Sequence, residues 1–321
     1  MSAIRACARL LAVAIASAAV MAGAGSMVEA ATVAAETNTA KSYDSAEAAV
    51  TALVEAARAN NPDALQAVLG PDSRRLVNSG DPVADADRRS RFVAAYDEQH
   101  AITPVAEDRI VLKIGPQDWP LPIPLVHTAA GWRFDTQAGA QELIDRWIGR
   151  NEMAAIRTAL AYVDAQKAFF ALTGQHGAAQ YAQRLLSSPG KFDGLYWPAG
   201  EGVPESPLEP LVAQARAEGY PVDRSAEGPR PYHGYYFRIL TGQGANSPEG
   251  ARSYISNGRM TSGFALIAWP ALYGTSGIMS FIVSQDGIVF QKDLGPRTGA
   301  IAAATKLFDP DLTWARVDVV N

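Results

Sequence analysis

Three apolar runs decide the fold of this chain: PYHGYYFRIL at residues 231–240, FALIAWP at residues 264–270 and GIMSFIVSQDGIVFQKD at residues 277–293. Gly and Pro residues separate the runs, and acidic or basic side chains hardly interrupt them. Short apolar runs that are bounded by turn residues are typical of buried β-strands. The sequence therefore predicts a small antiparallel sheet in this part of the chain.

The third run contains a hairpin signal. Asp-Gly at residues 286–287 separates strand-like residues 279–283 from residues 288–292. A two-residue loop at this point would place Val283 opposite Phe290. The glycine is expected to adopt a positive φ, because a residue without a Cβ tolerates that conformation.

The first half of the chain predicts helices followed by a meander of strands. Asp44, Asn61 and Asp81 are suited to cap helices, and Pro62 and Pro82 would occupy the first helical position of two of them. Extended segments are expected at residues 110–114, 119–126 and 131–135. The second of these contains three prolines, which cannot donate to a ladder, so we expect an edge strand or an extended cover there.

The central part predicts a long helix that leads into the C-terminal sheet. Residues 141–148 and 151–170 show helical periodicity, with a break or bend expected at Gly149. The expected fold class is therefore α+β, with N-terminal helices and a small antiparallel meander before this helix and its sheet. The expected divisions are a signal peptide at residues 1–30, a linker at 31–43, an N-terminal α+β domain at 44–140 and a helix-plus-sheet domain at 141–321.

Polar side chains cluster at the expected helix break, where Arg146, Arg150, Asn151 and Glu152 lie close together in sequence. The leading interpretation is a buried network of arginines and carboxylates, including Asp135, that joins the two domains. The alternative is that this cluster binds a ligand.

Aromatic residues at the start of the sheet form a second candidate site. Tyr232, His233 and Tyr235 lie at the entrance of the first strand-like run. Aromatic faces with polar tips can line a binding groove for a glycan or a peptide, and they can equally fill the core of a sheet. His233 is suited either to a hydrogen bond in a turn or to general-base chemistry near Asp293.

Composition excludes several classes of function. The chain has 321 residues, is 48% hydrophobic and 19% charged, and carries a formal net charge of −5, so it lacks the basic footprint of a nucleic-acid-binding protein. Its four histidines show no metal-ligand spacing, and no metal or cofactor is expected. No nucleophile elbow or phosphate loop is found in the sequence.

The N-terminus predicts export. Arg5 and Arg9 precede an apolar stretch at residues 10–23, and Ala30 completes a small-residue cleavage signal. At about 14 residues this stretch is shorter than the roughly 20 that a spanning helix needs, so we expect cleavage with no transmembrane anchor left afterwards. The only cysteine, Cys7, would be removed. The expected location is the periplasm.

Several blocks resemble an exported bacterial family, domain-of-unknown-function family 2950, over roughly residues 44–316. The blocks are SGDPVADADRRSRFVAAYDEQH (79–100), DWPLPIPLV (118–126), GWRFDT (131–136), IGRNEMAAI (148–156), SPGKFDGLYWP (188–198), PYHGYYFRILTGQG (231–244) and FALIAWPALYGTSGIMSFIVSQDGIVFQKDLG (264–295). The resemblance implies no activity. More loosely, the helix at residues 151–170 with the following sheet looks like the globular head of type IV pilins and pseudopilins.

The function expected from these observations is non-catalytic: a binding or envelope-assembly factor whose partner is an unknown envelope protein or a small ligand. No nucleic-acid partner is expected. The alternative is an envelope hydrolase or another enzyme that uses carboxylates such as Asp135 and Asp293.

Overall fold

The helices begin where the local sequence predicts them. The protein is represented by a computed structural model that describes residues 40–175, 177–222 and 229–318. Seven α-helices lie in these ranges: α1 (Ala46–Arg58), α2 (Pro62–Leu69), α3 (Arg74–Val77), α4 (Pro82–Glu98), α5 (Thr136–Gln175), α6 (Glu209–Ala217) and α7 (Thr298–Ala304). Among these residues, no helix combines the length and apolarity needed to cross a bilayer. The predicted signal peptide and residues 31–39 of the predicted linker lie outside the described residues.

Three helices have side-chain caps. The Asn61 and Asp81 side chains accept from the backbone N–H groups three residues on, at 3.0 and 3.1 Å, and proline follows each cap. Both predictions are confirmed. The cap of α1 is Ser45 rather than Asp44, since the Ser45 hydroxyl accepts from Ala48 N at 3.1 Å.

Helix α5 is continuous, so the predicted break at Gly149 is wrong. A Cβ at Gly149 would meet nothing within 4 Å, which places this residue on an open face of the helix. A glycine in a helix costs only about 1 kcal/mol relative to alanine. Packing of the helix on both sides of Gly149 outweighs that cost, because Ile144 and Ile148 are buried before it and Ala155 and Ile156 after it.

The first sheet is the predicted meander. Its strands are β1 (His100–Ala106), β2 (Arg109–Ile114), β3 (Trp119–Pro120), β4 (Leu125–Thr128) and β5 (Gly131–Phe134). The order is β1-β2-β4-β5, and β3 pairs with β2 beside this path. The chain then leaves the ladder at residues 121–124, where two of the prolines lie. Tyr43, the last residue of the predicted linker, pairs with Trp132 of β5.

The three apolar runs form the second antiparallel sheet, as predicted. Its order is β14-β13-β12-β11-β6. The strands of this sheet are β6 (Tyr235–Leu240), β11 (Ala265–Pro270), β12 (Met279–Ser284), β13 (Val289–Asp293) and β14 (Ala315–Arg316). Four short strands form two separate ribbons: β7 (Gly242–Gln243) with β8 (Arg252–Ser253), and β9 (Ile255–Ser256) with β10 (Arg259–Met260). The observed α+β class agrees with the sequence.

The β12–β13 hairpin differs from the prediction by one residue. Val283 lies opposite Val289 rather than Phe290, and residues 285–288 separate the two strands. Gly287 has the expected positive φ of 72°, and its N–H donates to Ser284 O at 3.0 Å. A shift of one residue exchanges the two faces of a strand, so Val289, only 2% exposed, packs on the buried side with Val283.

Helix α5 contributes to two hydrophobic cores. Its first half, with Ile144 and Ile148, packs in a core formed with α1, α2, α3 and the first sheet. Its second half, from Ala155 to Phe169, packs in a core with the second sheet, where it crosses β11, β12 and β13. The division at residues 140 and 141 stays a prediction. Around Gly149, between these two stretches of packing, the polar face of α5 is exposed.

Candidate functional site

Five arginines line a cleft of about 830 Å³ beside α4 and α5. We call it the arginine cleft. Its arginines are Arg88 and Arg91 of α4, and Arg146, Arg150 and Arg157 of α5. Spacings of three, four and seven residues return a side chain to the same helical face, so the sequence itself directs each set towards the same side of its helix.

Three of the five arginines have carboxylate partners. Arg88 forms an ion pair with Asp85, and both side chains are largely buried, at 12% and 5% exposure. Asp85 also accepts hydrogen bonds from the Ser79 backbone N–H and hydroxyl, at 3.1 and 2.7 Å. Arg91 pairs with Asp87 and Arg146 with Glu142, both at the surface.

The remaining two arginines carry uncompensated charge. Arg150 and Arg157 form no hydrogen bond or ion pair with any residue that the structure describes. Burial lowers the pKa of Arg150 first, the charges of Arg91, Arg88 and Arg146 lower it further, and the carboxylate of Asp87 opposes them. A guanidinium group remains protonated at neutral pH, so Arg150 stays a cation in the cleft. The lining has five arginines against Asp87 and Glu218. When Asp85 and Glu142, the ion-pair partners of Arg88 and Arg146, are counted as well, five cations face four carboxylates, and the formal charge of the site is +1 with His233 neutral.

Asp81 holds the turn that carries His233 beside the start of α4. This carboxylate is 1% exposed and accepts from Gly234 N at 2.7 Å and from the Tyr220 hydroxyl at 2.9 Å, in addition to capping α4. Tyr220 in turn accepts from His233 N at 3.2 Å. Burial, followed by the negative charge of Asp81, raises the pKa of Tyr220, which therefore stays a neutral donor.

His233 stands at the rim of the arginine cleft. Its φ is 48°, a left-handed conformation that is uncommon for a residue with a side chain, and the hydrogen bonds around Asp81 hold this turn in place. Its Nε2 lies 2.9 Å from Oε2 of Glu218, and both side chains are about one third exposed. The imidazole thus has one carboxylate neighbour and faces the cleft.

The predicted polar cluster is only partly brought together. Arg146, Arg150 and Asn151 line the arginine cleft, but the predicted buried network with Asp135 is wrong. Asp135 instead lies 3.5 Å from Arg109 across the first sheet. Arginines 146 and 150 are exposed because the continuous helix leaves them on its open face.

Asn151 and Glu152 fix α5 to the second sheet. The Asn151 amide donates to Ser276 O at 2.9 Å. Glu152 Oε1 accepts from the backbone N–H groups of Ile278 and Met279, each at 3.0 Å. Their side chains therefore hold the segment that enters β12.

The aromatic candidates separate in the structure. His233 lines the arginine cleft, whereas Tyr232 lies next to it and meets Tyr220 edge to face, with ring centroids 4.9 Å apart. Tyr235 is 0% exposed, and its hydroxyl donates to Met279 O at 2.9 Å. Tyr235 therefore belongs to the core of the second sheet and does not reach the cleft.

Sequence reasoning missed Arg88, Arg91 and Arg157. The signal was present in the DRRSR run at residues 87–91, where two arginines are spaced for one helical face. What the sequence alone does not give is the placement of α4 beside the polar face of α5. The cleft exists only when the two helices pack.

The carboxylates suggested for catalysis lie elsewhere. Asp135 is paired with Arg109, and Asp293 accepts from the Tyr273 hydroxyl at 3.1 Å and from Gly295 N at 2.7 Å in an exposed turn. Within the described ranges, no three His, Cys, Asp or Glu side chains are grouped so as to hold a metal ion.

The chain belongs to the family described as "Protein of unknown function (DUF2950)", whose profile matches residues 40–317. No curated protein matches the chain, and no solved structure matches it. The resemblance to pilin heads is therefore not confirmed.

Proposed function

We propose that this protein is an exported, non-catalytic binding protein whose arginine cleft holds a small anionic ligand. The observation that carries the proposal is a pair of guanidinium groups in the cleft, those of Arg150 and Arg157, that have no hydrogen-bond or ion-pair partner among the described residues. An overall charge of −5 makes this local excess of positive charge more distinctive. Arginine is suited to bind carboxylate or phosphate because its planar fork donates two parallel hydrogen bonds.

The dimensions and walls of the cleft support binding. Its volume of about 830 Å³ falls within the roughly 300–1,000 Å³ of small-molecule sites. Trp147 supplies an apolar surface beside the cations, with the Arg88 guanidinium 4.4 Å from the centroid of its ring. The Asp85–Arg88 pair and the Asp81 hydrogen bonds hold both walls without needing a ligand, so the site is largely preformed.

Export is the second part of the proposal. Arg5 and Arg9, the apolar stretch at residues 10–23 and the small residues before Ala30 support a cleaved signal and a periplasmic location.

Calorimetric titration with phosphate, sulfate, acetate and longer carboxylates tests the binding part. At least one anion is expected to bind, with affinity that falls as salt is added. Arg150→Gln with Arg157→Gln should weaken binding at least tenfold. The matched control is Arg316→Gln, which removes the same charge from exposed strand β14 and should leave affinity unchanged. If no anion of any length binds, or if the double variant binds as wild type does, the proposal fails.

A further inference from the structure

A second cavity adjoins the arginine cleft. It measures about 330 Å³ and opens to the surface from the first hydrophobic core, and we call it the apolar cavity. Aliphatic side chains from α1, α2, α3, β2 and the segment after β3 line it, including Leu53, Leu65, Leu76, Ile114, Leu121 and Ile123. Concave sites lined mainly by apolar side chains with a few polar groups are typical of small-molecule binding.

The apolar cavity and the arginine cleft share a wall. Arg88, Arg91, Trp147 and Arg150 line both spaces. Trp147 and the aliphatic stems of the arginines can face an apolar guest on one side, while the guanidinium groups face the cleft. One molecule that extends across this wall would meet hydrocarbon at one end and positive charge at the other.

The polar groups of the apolar cavity are already occupied, with one exception. Arg89 donates to Val77 O at 2.6 Å, and Asp85 is paired with Arg88. Arg91 is paired with Asp87. Arg150, at the shared wall, has no partner among the described residues. The rest of the cavity lining therefore offers few polar partners and is suited to an apolar group.

We propose that the ligand is a single-chain amphipathic anion, with an acidic headgroup in the arginine cleft and a hydrocarbon chain in the apolar cavity. This inference rests on the proposed anion-binding function and specifies its ligand class. Carboxylate and phosphate headgroups share the chemistry that the guanidinium groups of Arg150 and Arg157 recognise. The hydrocarbon chain of the ligand distinguishes it from an inorganic anion.

A chain-length series on the wild-type protein tests the inference. The probes are acetate, butanoate, hexanoate and octanoate, with octyl phosphate to compare headgroups and octanol as a chain without charge. Each added methylene is expected to tighten binding about fourfold until the cavity is full, from the roughly 0.8 kcal/mol of burying one methylene. Octanoate should also bind with a more negative heat-capacity change than acetate. Octanol should bind much more weakly than octanoate.

Two kinds of variant separate headgroup from chain. Arg150→Gln should weaken acetate and octanoate by the same factor. Ala57→Leu adds volume at the buried cavity wall and should weaken octanoate while leaving acetate unchanged. Ala48→Leu, at an exposed position on the same helix, is the matched control. If Ala57→Leu fails to fold, Leu65→Phe takes its place. The chain-length series on the wild-type protein tests the inference even if neither variant folds.

The outcomes distinguish this inference from the function on which it rests. Affinity that does not change with chain length, together with sensitivity to Arg150→Gln, overturns the amphipathic ligand and leaves anion binding intact. Absence of binding by every probe overturns both. Octanol that binds as tightly as octanoate also overturns the inference, because the arginines would then contribute nothing.

Discussion

Replacing Asp81 should disrupt three contacts that frame the arginine cleft. Its Oδ1 caps α4 through Ala84 N, and its Oδ2 accepts from both Gly234 N and the Tyr220 hydroxyl. Asp81→Ala removes all of these acceptors from a site where the carboxylate is 1% exposed. The N–H of Gly234 and the hydroxyl of Tyr220 would then be buried without their acceptor.

The magnitude follows from the contacts. Loss of a helix cap costs about 1 kcal/mol. Each buried donor left unsatisfied costs about 1–3 kcal/mol, and relief of the desolvation of Asp81 offsets part of the total. We expect Asp81→Ala to lower the free energy of unfolding by about 3–5 kcal/mol. Asp81→Asn keeps one oxygen, so it retains either the cap or the bonds to Gly234 and Tyr220, and should cost about half as much.

Urea denaturation, followed by circular dichroism, measures these differences. Tyr220→Phe is the companion variant, because it removes one donor and leaves the remaining Asp81 contacts in place. The double variant Asp81→Ala with Tyr220→Phe should lose less than the sum of the two single losses, since both single changes remove the same hydrogen bond. A loss below about 1 kcal/mol for Asp81→Ala, or strict additivity in the cycle, would refute the network.

Four further outcomes follow from the same structure. Glu152→Ala should lower the free energy of unfolding by about 2–3 kcal/mol, because two backbone donors lose a charged acceptor. Glu152→Gln should lower it much less, and equal losses of the two variants in denaturant melts would contradict this. Gly287→Val should lower the free energy of unfolding by about 1–3 kcal/mol, because valine does not tolerate the positive φ at this position. Gly287→Asn should lower it less, because asparagine tolerates that conformation, and coinciding thermal melts of the two variants would count against this prediction. Mass spectrometry of the exported protein should find an N-terminus near Ala30, and an intact residue 1 in the membrane fraction would exclude cleavage. Arg150→Gln should raise the melting temperature of the ligand-free protein, and a clear decrease would show that Arg150 has a structural partner.

Local sequence patterns predicted the helices and turns of this fold better than the strand register and the packing between elements. The caps at Asn61 and Asp81 and the positive φ of Gly287 depend on a few neighbouring residues, so they can be read from sequence. The hairpin register depends on the length of the loop, and an Asp-Gly pair alone does not determine that length. Gly149 predicted a break, but packing at both ends of α5 outweighs the low helix propensity of glycine.

The candidate site was less predictable because it combines distant segments. The sequence brought Arg146 and Arg150 together as candidates, but assigned them a buried carboxylate network that does not form. Charge alone does not tell which of several carboxylates an arginine will meet. That choice is made by the packing of α4 beside α5, some 60 residues further on.

The arginines of one cleft are expected to affect stability in opposite directions. Removing Arg88 leaves the buried Asp85 carboxylate without its cation, which costs about 3–5 kcal/mol. Removing Arg150 does the reverse. Arg150 lies on the exposed face of α5 and forms no ion pair with a described residue. The nearby cations Arg91, Arg88 and Arg146 repel it, and Asp87 offsets only part of that repulsion, so removing its charge should relieve repulsion in the ligand-free protein. The anionic ligand that we propose would compensate this cation when it binds. The expected opposite signs at Arg88 and Arg150 thus separate the framework of the cleft from the group that we propose for ligand binding.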